Sequence, residues 1–439
     1  MGISRRKFIK STATVGVLAG FPTIISSKVL GRNGYTPPSD RVNIGLIGCG
    51  NRSGTAIAYK NYQKSQVVAV CDPVRERRLE RKEQFDNCAD FNDYRDLLSL
   101  REVDAVHIAT SDHWHVPLSL AAARAGKDMY CEKPLGKSIG EDIAAREIVD
   151  QHERIFQYGA QQRSMTQVRM GIELVLNGHI GEVEEIYVWA PHGESGGSAN
   201  PEIPIPDGFD YELWLGSAPE TPFGYDRCLN QSGRNGIFHI YDYAIGFIAG
   251  WGAHPVDMLQ WWADNAGINT IPERYEGYGE IGLGGLFNTI TNWDVNCTYK
   301  NGLKMRFMDD QIANSIKPHA GVDGSHGTLF VGTKGWVKVK RAGWKVSDEK
   351  LYRIGKNPGE KRLEISTNQF HNFVDCVKSG KQPIDDLHSA IRSDIICHLS
   401  DICIREGRPI TWDTENEKIV GDYEAAKRMY RSMREPWRI

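Results

Sequence analysis

The chain has 439 residues, longer than one compact core usually grows, so we expect at least two domains. Charged residues make up 25% of the chain, the formal net charge is −3 and the basic residues are dispersed, which excludes the electrostatic footprint of a nucleic-acid-binding protein. The nine cysteines include no Cys-x-x-Cys pair, so we expect buried thiols rather than a zinc or disulfide framework.

Residues 1–40 are typical of an exported protein. The run Ser4-Arg5-Arg6-Lys7-Phe8-Ile9-Lys10 has the twin-arginine pattern, and a mildly apolar stretch and a linker containing Pro and Gly follow it. The apolar stretch is too short and too rich in glycine for a stable membrane span of about 20 residues. We therefore expect a signal recognised by the twin-arginine export machinery, either cleaved or kept as an anchor, and a periplasmic protein.

The segment after residue 40 predicts a dinucleotide-binding βαβ unit. A buried strand leads into a glycine-rich turn, and the next strand ends in the carboxylate of Asp72. Gly48 permits the tight turn, and Gly50 lets the backbone N–H groups of Asn51-Arg52 approach a pyrophosphate. Asp72 accepts hydrogen bonds from an adenosine ribose. A glycine-rich cofactor turn is therefore expected at residues 48–52.

The charges after the second strand bear on the choice of cofactor. The carboxylate of Asp72 repels a 2′-phosphate, which favours NAD over NADP. Arg75, Arg77 and Arg78 would favour NADP, but a run of arginines after a strand more often forms a solvated helix face. The third glycine, Gly54, falls one place later than in G-x-G-x-x-G. We predict NAD as the cofactor, with NADP less favoured.

Apolar strands and helices alternate over residues 41–162, which predicts a doubly wound parallel sheet of the Rossmann type. The expected strands are Val42–Gly48, Val67–Asp72, Ala105–Thr110, Met129–Cys131 and Ile155–Gly159. Residues 163–366 read instead as an α+β domain with a large, open, mainly antiparallel sheet. Its expected strands are Val183–Ala190, Glu273–Glu280, Thr291–Lys300, Leu303–Met308, Gly327–Val331 and Trp336–Lys340.

Two further segments complete the expected organisation. Pro191–Asn235 is rich in Gly, Pro, Ser and Asn, and a loop of that length in a compact domain predicts a binding loop or lid. Residues 367–439 contain two predicted helices, Asn368–Ser379 and Leu387–Arg405, which we expect to pack back on both domains.

Three motifs follow strands or begin a helix: Asp112-His113-Trp114-His115 after the expected strand Ala105–Thr110, Cys131-Glu132-Lys133-Pro134-Leu135-Gly136, and Gly252-Ala253-His254-Pro255-Val256-Asp257. They resemble the motifs of the Gfo/Idh/MocA family of sugar and inositol dehydrogenases. The resemblance runs from about Arg41 to the C-terminus. It implies an NAD-dependent oxidoreductase that acts on a carbohydrate and pairs as a homodimer or homotetramer through its open sheet.

Lys133 and His254 are the predicted catalytic residues. The carboxyl ends of parallel strands face the crevice where the nicotinamide lies, so Lys133 would stabilise alkoxide character as hydride departs. Its alternative is a surface lysine paired with Glu132. His254 lies at the start of a predicted helix from Pro255, where the helix dipole and Lys133 disfavour imidazolium and leave a neutral base. Its alternative is a histidine that caps the helix and packs in the core.

The resemblance and the strand ends assign further residues. Those expected at the cofactor, besides the glycine turn, are Thr110, Asp112, Trp114, His115, Glu132, Lys133 and Gln161; those expected at the substrate are Arg163, Tyr241 and Asp257. Tyr241, Trp251 and Tyr187 are equally candidates for sugar stacking or for the core. His113 and His115 have the spacing of metal ligands, but without a third ligand we predict no metal site.

One departure from the family affects the proton relay. Many relatives carry an aspartate four residues before the histidine, and this chain has Gly250 there, with Asp257 and Asp242 as candidate replacements. Three functions follow as hypotheses: interconversion of a secondary alcohol and ketone on a sugar, glycoside or cyclitol; glycoside cleavage through transient C3 oxidation and elimination; and non-catalytic sugar binding.

Overall fold

The computed structural model describes residues 36–198, 202–229, 236–268, 270–341, 343–354 and 357–439. Residues Val42–Ile439 form one compact unit, and the residues before Val42 belong to another. The predicted twin-arginine signal lies outside the described residues. In the part of the chain that is described, no helix combines the length and the apolar character needed to cross a membrane. All nine cysteines are buried, as expected.

Six parallel strands form the first sheet, in the order β3-β2-β1-β4-β5-β6. They are β1 (Val42–Ile47), β2 (Ser65–Cys71), β3 (Ala89–Phe91), β4 (Ala105–Ile108), β5 (Asp128–Cys131) and β6 (Phe156–Tyr158). This confirms the predicted Rossmann-type sheet. The strand order reverses between β1 and β4, so the crevice for a ligand opens at the carboxyl ends of these two strands.

Short helices connect the strands of the first sheet. They are α1 (Ile57–Lys60), α2 (Arg75–Lys82), α3 (Tyr94–Ser99), α4 (His115–Arg124) and α5 (Ile139–Gln151), while Asn51–Ala56 and Asp112–Trp114 form 3₁₀ turns. The glycine loop thus enters a 3₁₀ turn rather than a long α-helix. Helix α2 has no buried residue, but Arg77 lines the cleft beside Asp72, so the arginines of this helix do not all lie on a solvated face.

Nine strands form the second sheet, in the order β13-β12-β11-β7-β10-β9-β8-β14-β15. They are β7 (Val183–Ala190), β8 (Arg274–Ile281), β9 (Ile290–Thr298), β10 (Lys304–Asp309), β11 (Gly327–Gly332), β12 (Gly335–Lys340), β13 (Gly343–Val346), β14 (Ile410–Asp413) and β15 (Lys418–Ile419). Neighbours are antiparallel except β7 and β10, which pair in parallel. The mainly antiparallel sheet is therefore confirmed.

The remaining helices cover the two sheets. They are α6 (Thr166–Leu176), α7 (Tyr211–Leu215), α8 (Tyr225–Cys228), α9 (Phe247–Gly250), α10 (Ala253–Ala266), α11 (Asp310–Ile316), α12 (Gln369–Ser379), α13 (Leu387–Glu406) and α14 (Tyr423–Lys427). Helix α10 packs on β7 and β11, α12 contacts β1, and α13 contacts β6, β8 and α10. The two long C-terminal helices therefore contact elements of both sheets, and α10 brings its first turn to the end of the crevice.

Candidate active site

The turn after β1 has a geometry that only glycine allows. Gly48 has φ +91°, and a Cβ at this position would lie 2.5 Å from the carbonyl oxygen of Ala109. Asp72 fixes the same turn, because its carboxylate accepts hydrogen bonds from the N–H groups of Cys49, at 2.7 Å, and Val74, at 2.8 Å. Burial raises the pKa of the Asp72 carboxyl, while these two hydrogen bonds oppose that shift.

A cleft opens above this turn at the carboxyl ends of β1 and β4. Seven predicted cofactor residues line it: Gly48, Gly50, Asn51, Arg52, Asp72, Thr110 and Trp114. Gly50 is the N-terminal cap of the 3₁₀ turn that follows and has no side chain, which leaves room for a phosphate at the backbone N–H groups that begin this turn. The combination of this turn, an acid at the end of β2 and apolar walls fits a dinucleotide such as NAD.

The described part of the long segment 191–246 forms the opposite wall of the cleft. Leu213, Trp214, Ile237 and Phe238 line the cleft from this side. The Trp114 indole donates a hydrogen bond to the carbonyl oxygen of Trp214 at 3.1 Å. Backbone hydrogen bonds also join Arg75 to Gly208 and Asp210 to Pro73. This segment is therefore docked over the crevice, where the sequence predicted a binding loop.

Three loops meet at the inner end of the cleft. Arg52 Nε lies 2.9 Å from the Glu132 carboxylate, and the side-chain amide of Gln161 contacts the Arg52 guanidinium. Glu132 is buried, and its second oxygen has no hydrogen-bond partner among the described residues. The structure thus brings together three residues that were predicted to bind the cofactor.

Lys133 reaches across to α9. Its Nζ donates a hydrogen bond to the carbonyl oxygen of Gly250 at 2.6 Å, whereas Glu132 pairs with Arg52. The alternative of a surface Lys133–Glu132 pair is therefore wrong. Burial lowers the pKa of the Lys133 ammonium, and the carboxylates of Glu132 and Asp112 partly oppose this. The lysine is thus bound by the backbone carbonyl of Gly250, the residue that stands where the family resemblance implies an aspartate.

His254 lies in the first turn of α10, four residues after Gly250 and 2% exposed. Arg341 Nη2 lies 2.9 Å from His254 Nε2, and because a guanidinium only donates, Nε2 accepts this bond. No described residue bonds to Nδ1. Burial, together with the positive charges of Lys133 and Arg341, holds the pKa of His254 well below its usual value. The imidazole is therefore neutral, as the sequence predicted.

Arg341 is a site residue that the sequence did not reveal. It follows β12, 87 positions beyond His254, and belongs to no recognisable motif. Its guanidinium lies over the Trp251 ring, 5.3 Å from the centroid, and Trp251 in turn contacts the His254 ring edge-on. Trp251 is thus the candidate stacking residue that lies beside the catalytic pair.

The predicted substrate role of Arg163 and Asp257 is wrong. Arg163 Nε lies 3.0 Å from Asp257 Oδ1 and 3.4 Å from Asp385, and all three side chains are buried. Burial alone would lower the pKa of the guanidinium, but the two carboxylates raise it above its usual value. Because Asp257 is committed to this pair, it does not orient His254 either. For Asp242 the structure records only a long hydrogen bond from Lys137 to its backbone carbonyl.

Tyr241 is also unavailable to a sugar. The guanidinium groups of Arg405 and Arg431 lie 3.6 and 3.8 Å from its ring centroid, so cations occupy the ring, and its hydroxyl donates to Asp401. The prediction for Tyr241 is therefore wrong. Tyr187 lies on β7 and donates to Glu185 at 2.7 Å.

The loop after β4 supports the site more than it lines it. His115 is buried, and its nitrogens face the carbonyl oxygens of Pro134, at 2.6 Å, and Thr110, at 3.3 Å, so it braces the turn that carries Lys133. Asp112 is buried; burial raises its pKa to about 6, against the charges of His115 and Lys133. Neither residue is among those that line the cleft, and the same holds for Glu132, Lys133 and Gln161, so the direct cofactor contacts of these residues stay predictions.

The two histidines of this loop do not converge on a metal. His113 Nε2 donates to the Trp214 carbonyl at 3.2 Å, away from His115. In the described ranges, the one group of three potential metal ligands is Asp142, Asp394 and His398, which joins α5 and α13.

Comparison with known proteins identifies the family through both sheets. The model of an oxidoreductase family with an NAD-binding Rossmann fold matches residues 42–160, and the model of its C-terminal alpha/beta domain matches residues 179–439. Among solved structures, the WlbA dehydrogenase from Bordetella pertussis, in complex with NADH and UDP-GlcNAcA, superposes with a TM-score of 0.63 at 16% identity and covers 85% of this chain and 98% of that chain. The myo-inositol 2-dehydrogenase from Lactobacillus plantarum gives a TM-score of 0.58 at 16% identity, covering 84% and 99%. These two show the same fold.

Curated relatives align over shorter stretches. A glycosyl hydrolase family 109 protein of Solibacter usitatus is 27% identical over 150 residues, which are 31% of this chain and 34% of that protein. An inositol 2-dehydrogenase of Salmonella typhimurium is 36% identical over 95 residues, 21% of this chain and 27% of that protein. The chain thus spans about a third or less of these two relatives. Because the two family models together match most of the chain, the protein belongs to the Gfo/Idh/MocA family of oxidoreductases.

Proposed function

We propose that the protein is an NAD-dependent oxidoreductase that interconverts a secondary alcohol and a ketone on a sugar, glycoside or cyclitol. One observation carries the proposal: the hydrogen bond from Lys133 to Gly250 brings the ammonium to the segment that presents His254, and the charge of Arg52, which lines the dinucleotide cleft, acts on both groups. A cationic donor and a neutral imidazole beside this cleft are the groups that alcohol oxidation needs.

The residues have separate roles in this reaction. NAD, when bound, takes up the hydride from the carbinol carbon. Lys133 donates a hydrogen bond to the carbinol oxygen and stabilises the negative charge that develops there. His254 accepts the hydroxyl proton in oxidation and returns it in reduction, and its neutral state makes it competent as the base. Arg52, Glu132 and Gln161 order the nicotinamide end of the cleft.

Turnover tests this proposal. The purified protein is incubated with NAD and a panel of sugars, glycosides and cyclitols, and reduced nicotinamide is followed by absorbance. We expect Lys133→Met and His254→Asn each to lower kcat by about 100-fold or more. Lys304→Met, which removes an exposed lysine of β10, is the matched control. Saturable sugar binding with no hydrogen exchange at any carbon would instead indicate a non-catalytic relative.

Glycoside cleavage is the second candidate, favoured by the relatives named as glycosyl hydrolase family 109 proteins. Oxidation at C3 acidifies the neighbouring C–H, a base removes that proton, the aglycone leaves from C1, and addition of water and return of the hydride restore the sugar and NAD. The covering wall formed by Leu213, Trp214, Ile237 and Phe238 favours a retained cofactor. NAD that co-purifies at about one per chain, with aglycone release and no net reduction, would select this reaction.

Export, cofactor choice and assembly belong to the same proposal. Twin-arginine export moves folded proteins, which suits a protein that loads a cytoplasmic dinucleotide before it leaves. Replacing Arg5 and Arg6 by Lys should keep the protein in the cytoplasm on cell fractionation. We further propose NAD rather than NADP, because Asp72 lies in the cleft, and a homodimer or homotetramer, which light scattering after gel filtration measures.

A further inference from the structure

Arg341 is a charged group in the site that the proposed reaction leaves without a role. Its side chain is partly buried between Trp251 and His254. None of the described residues accepts a hydrogen bond from its Nε, and no carboxylate in the described ranges forms an ion pair with it. Burial, with the charge of Arg52, lowers the pKa of this guanidinium below its usual value, and the charge of Glu132 opposes that shift only in part.

Other arginines in this chain show what such a group normally binds. Arg163, Arg306 and Arg405 are each paired with a carboxylate, at 3.0, 2.8 and 3.1 Å. A partly desolvated guanidinium without an anion is costly, because burial of a charge is offset only by pairing and hydrogen bonds. The free Nε edge of Arg341 beside the reacting groups is therefore suited to an anion that arrives with the substrate.

The hydrogen bond from Arg341 to His254 also decides whether the imidazole can accept a proton from the substrate. In the structure, Arg341 donates to Nε2, so the lone pair of this nitrogen is occupied and the remaining proton lies on the buried Nδ1. A substrate anion that takes the guanidinium would free Nε2 to accept the alcohol proton. Binding of the anion and activation of the base would then be one event.

We propose that the substrate is an anionic sugar whose carboxylate binds the Nε edge of Arg341 while its carbinol lies between Lys133 and His254. This inference rests on the proposed function, since it concerns the same site. A carboxylate is favoured over a phosphate because one unpaired guanidinium matches a planar monoanion in charge and in bidentate geometry. The reaction remains hydride transfer from the carbinol carbon, with the hydroxyl proton passing to His254.

Matched pairs of ligands test the proposal. Methyl glucuronide is compared with methyl glucoside, and methyl galacturonide with methyl galactoside. Each is also compared with the sugar phosphate of the same ring. Binding is measured by calorimetry with NAD present, and turnover is measured for the same ligands. We expect one uronide to have a Kd at least about tenfold lower, and a kcat/KM at least about tenfold higher, than its neutral partner. Arg341→Gln should bring that ratio to within about threefold of one, and Arg341→Lys should give an intermediate ratio because it keeps the charge and loses the fork. Arg274→Gln, an exposed arginine of β8, should leave the ratio unchanged.

The possible outcomes separate this inference from the proposed function. Uronide binding that depends on Arg341, without turnover of any sugar, would support the anion site and contradict the oxidoreductase. Turnover of neutral sugars with no uronide advantage, or an equal loss for both ligands in Arg341→Gln, would overturn the anion site and leave the oxidoreductase standing. A phosphate preferred over the carboxylate would overturn the choice of a sugar acid. Failure of every uronide to bind would also overturn it.

Discussion

The buried ion network of Arg163 is expected to stabilise the fold, and substitutions within it test that role. The Arg163 guanidinium forms ion pairs with two buried carboxylates, those of Asp257 and Asp385, and also donates a hydrogen bond to Ser389. Arg163→Met would leave both acids without a cation, a change that costs about 3–5 kcal/mol in comparable buried pairs. Asp257→Asn leaves Arg163 paired with Asp385, so we expect a smaller loss of about 1–3 kcal/mol.

Thermal unfolding measures the difference. For a compact unit of about 400 residues, these losses correspond to falls in Tm of about 4–6 °C for Arg163→Met and about 1–4 °C for Asp257→Asn. Combining the two substitutions should cost less than the sum of the single losses, because the pair is then removed rather than broken. Arg274→Gln, in an exposed pair with Glu276, is the control and should leave Tm unchanged within about 1 °C.

Steady-state kinetics on the same variants decide between structure and substrate binding. If the pair is structural, Arg163→Met lowers Tm while KM for the sugar changes little below the melting transition. The reasoning is refuted if Tm is unchanged and KM rises about tenfold, since both side chains would then contact the substrate. An Asp257→Asn variant less stable than Arg163→Met would contradict the shared role of the guanidinium.

Three other predictions concern the site and its surroundings. On the acid side of a pH profile of kcat/KM, activity should fall with the lowered pKa of His254, at a lower pH than for an ordinary histidine. Arg341→Gln removes one of the charges that lower this pKa, so it should shift the acid limb to higher pH. Asp72→Ser should raise the NADP-to-NAD ratio of kcat/KM about tenfold or more, because Arg77 remains in the cleft after the repelling carboxylate is gone. Burial, with the charges of neighbouring acids, raises the pKa of Asp142 well above its usual value. The folded protein therefore holds this proton more tightly than the unfolded chain, and the free energy of unfolding falls as pH rises above the pKa of an ordinary carboxyl. Asp142→Asn should therefore add about 1–3 kcal/mol of unfolding free energy at neutral pH and none in strong acid.

The fold was predictable where patterns were local and strong. Strand Val183–Ala190 was predicted with its observed bounds, and α12 and α13 were predicted to within two residues, because long apolar periodicity fixes such elements. The short strands β3, β13, β14 and β15 were missed, since strands of two to four residues are too short to establish a periodicity in the sequence. The parallel β7–β10 pair depends on tertiary packing, which periodicity does not report.

The residues of the candidate site were likewise predictable where a local motif contains them, and not where their contacts come from distant parts of the chain. The positions of Lys133 and His254 were predictable because each belongs to a motif at the end of a strand or at the start of a helix, while their catalytic roles stay predictions. Arg163 and Tyr241 were misassigned because sequence places them near the crevice but does not show that buried acids or flanking arginines already occupy them. Arg341 carried no signal, since its importance comes only from contacts with residues far along the chain.

The charges around His254 link substrate recognition to the rate of proton transfer. When the imidazole accepts the alcohol proton, an imidazolium forms beside Lys133 and Arg341, and the burial and positive charge that keep the ring neutral oppose this state. A substrate carboxylate on Arg341 cancels one of the two charges, which raises the pKa of His254 in the complex and makes it a stronger base. A neutral sugar leaves both charges in place. The advantage of an anionic sugar should therefore appear in kcat as well as in KM, and an advantage confined to KM would mean that Arg341 binds the substrate without tuning the base.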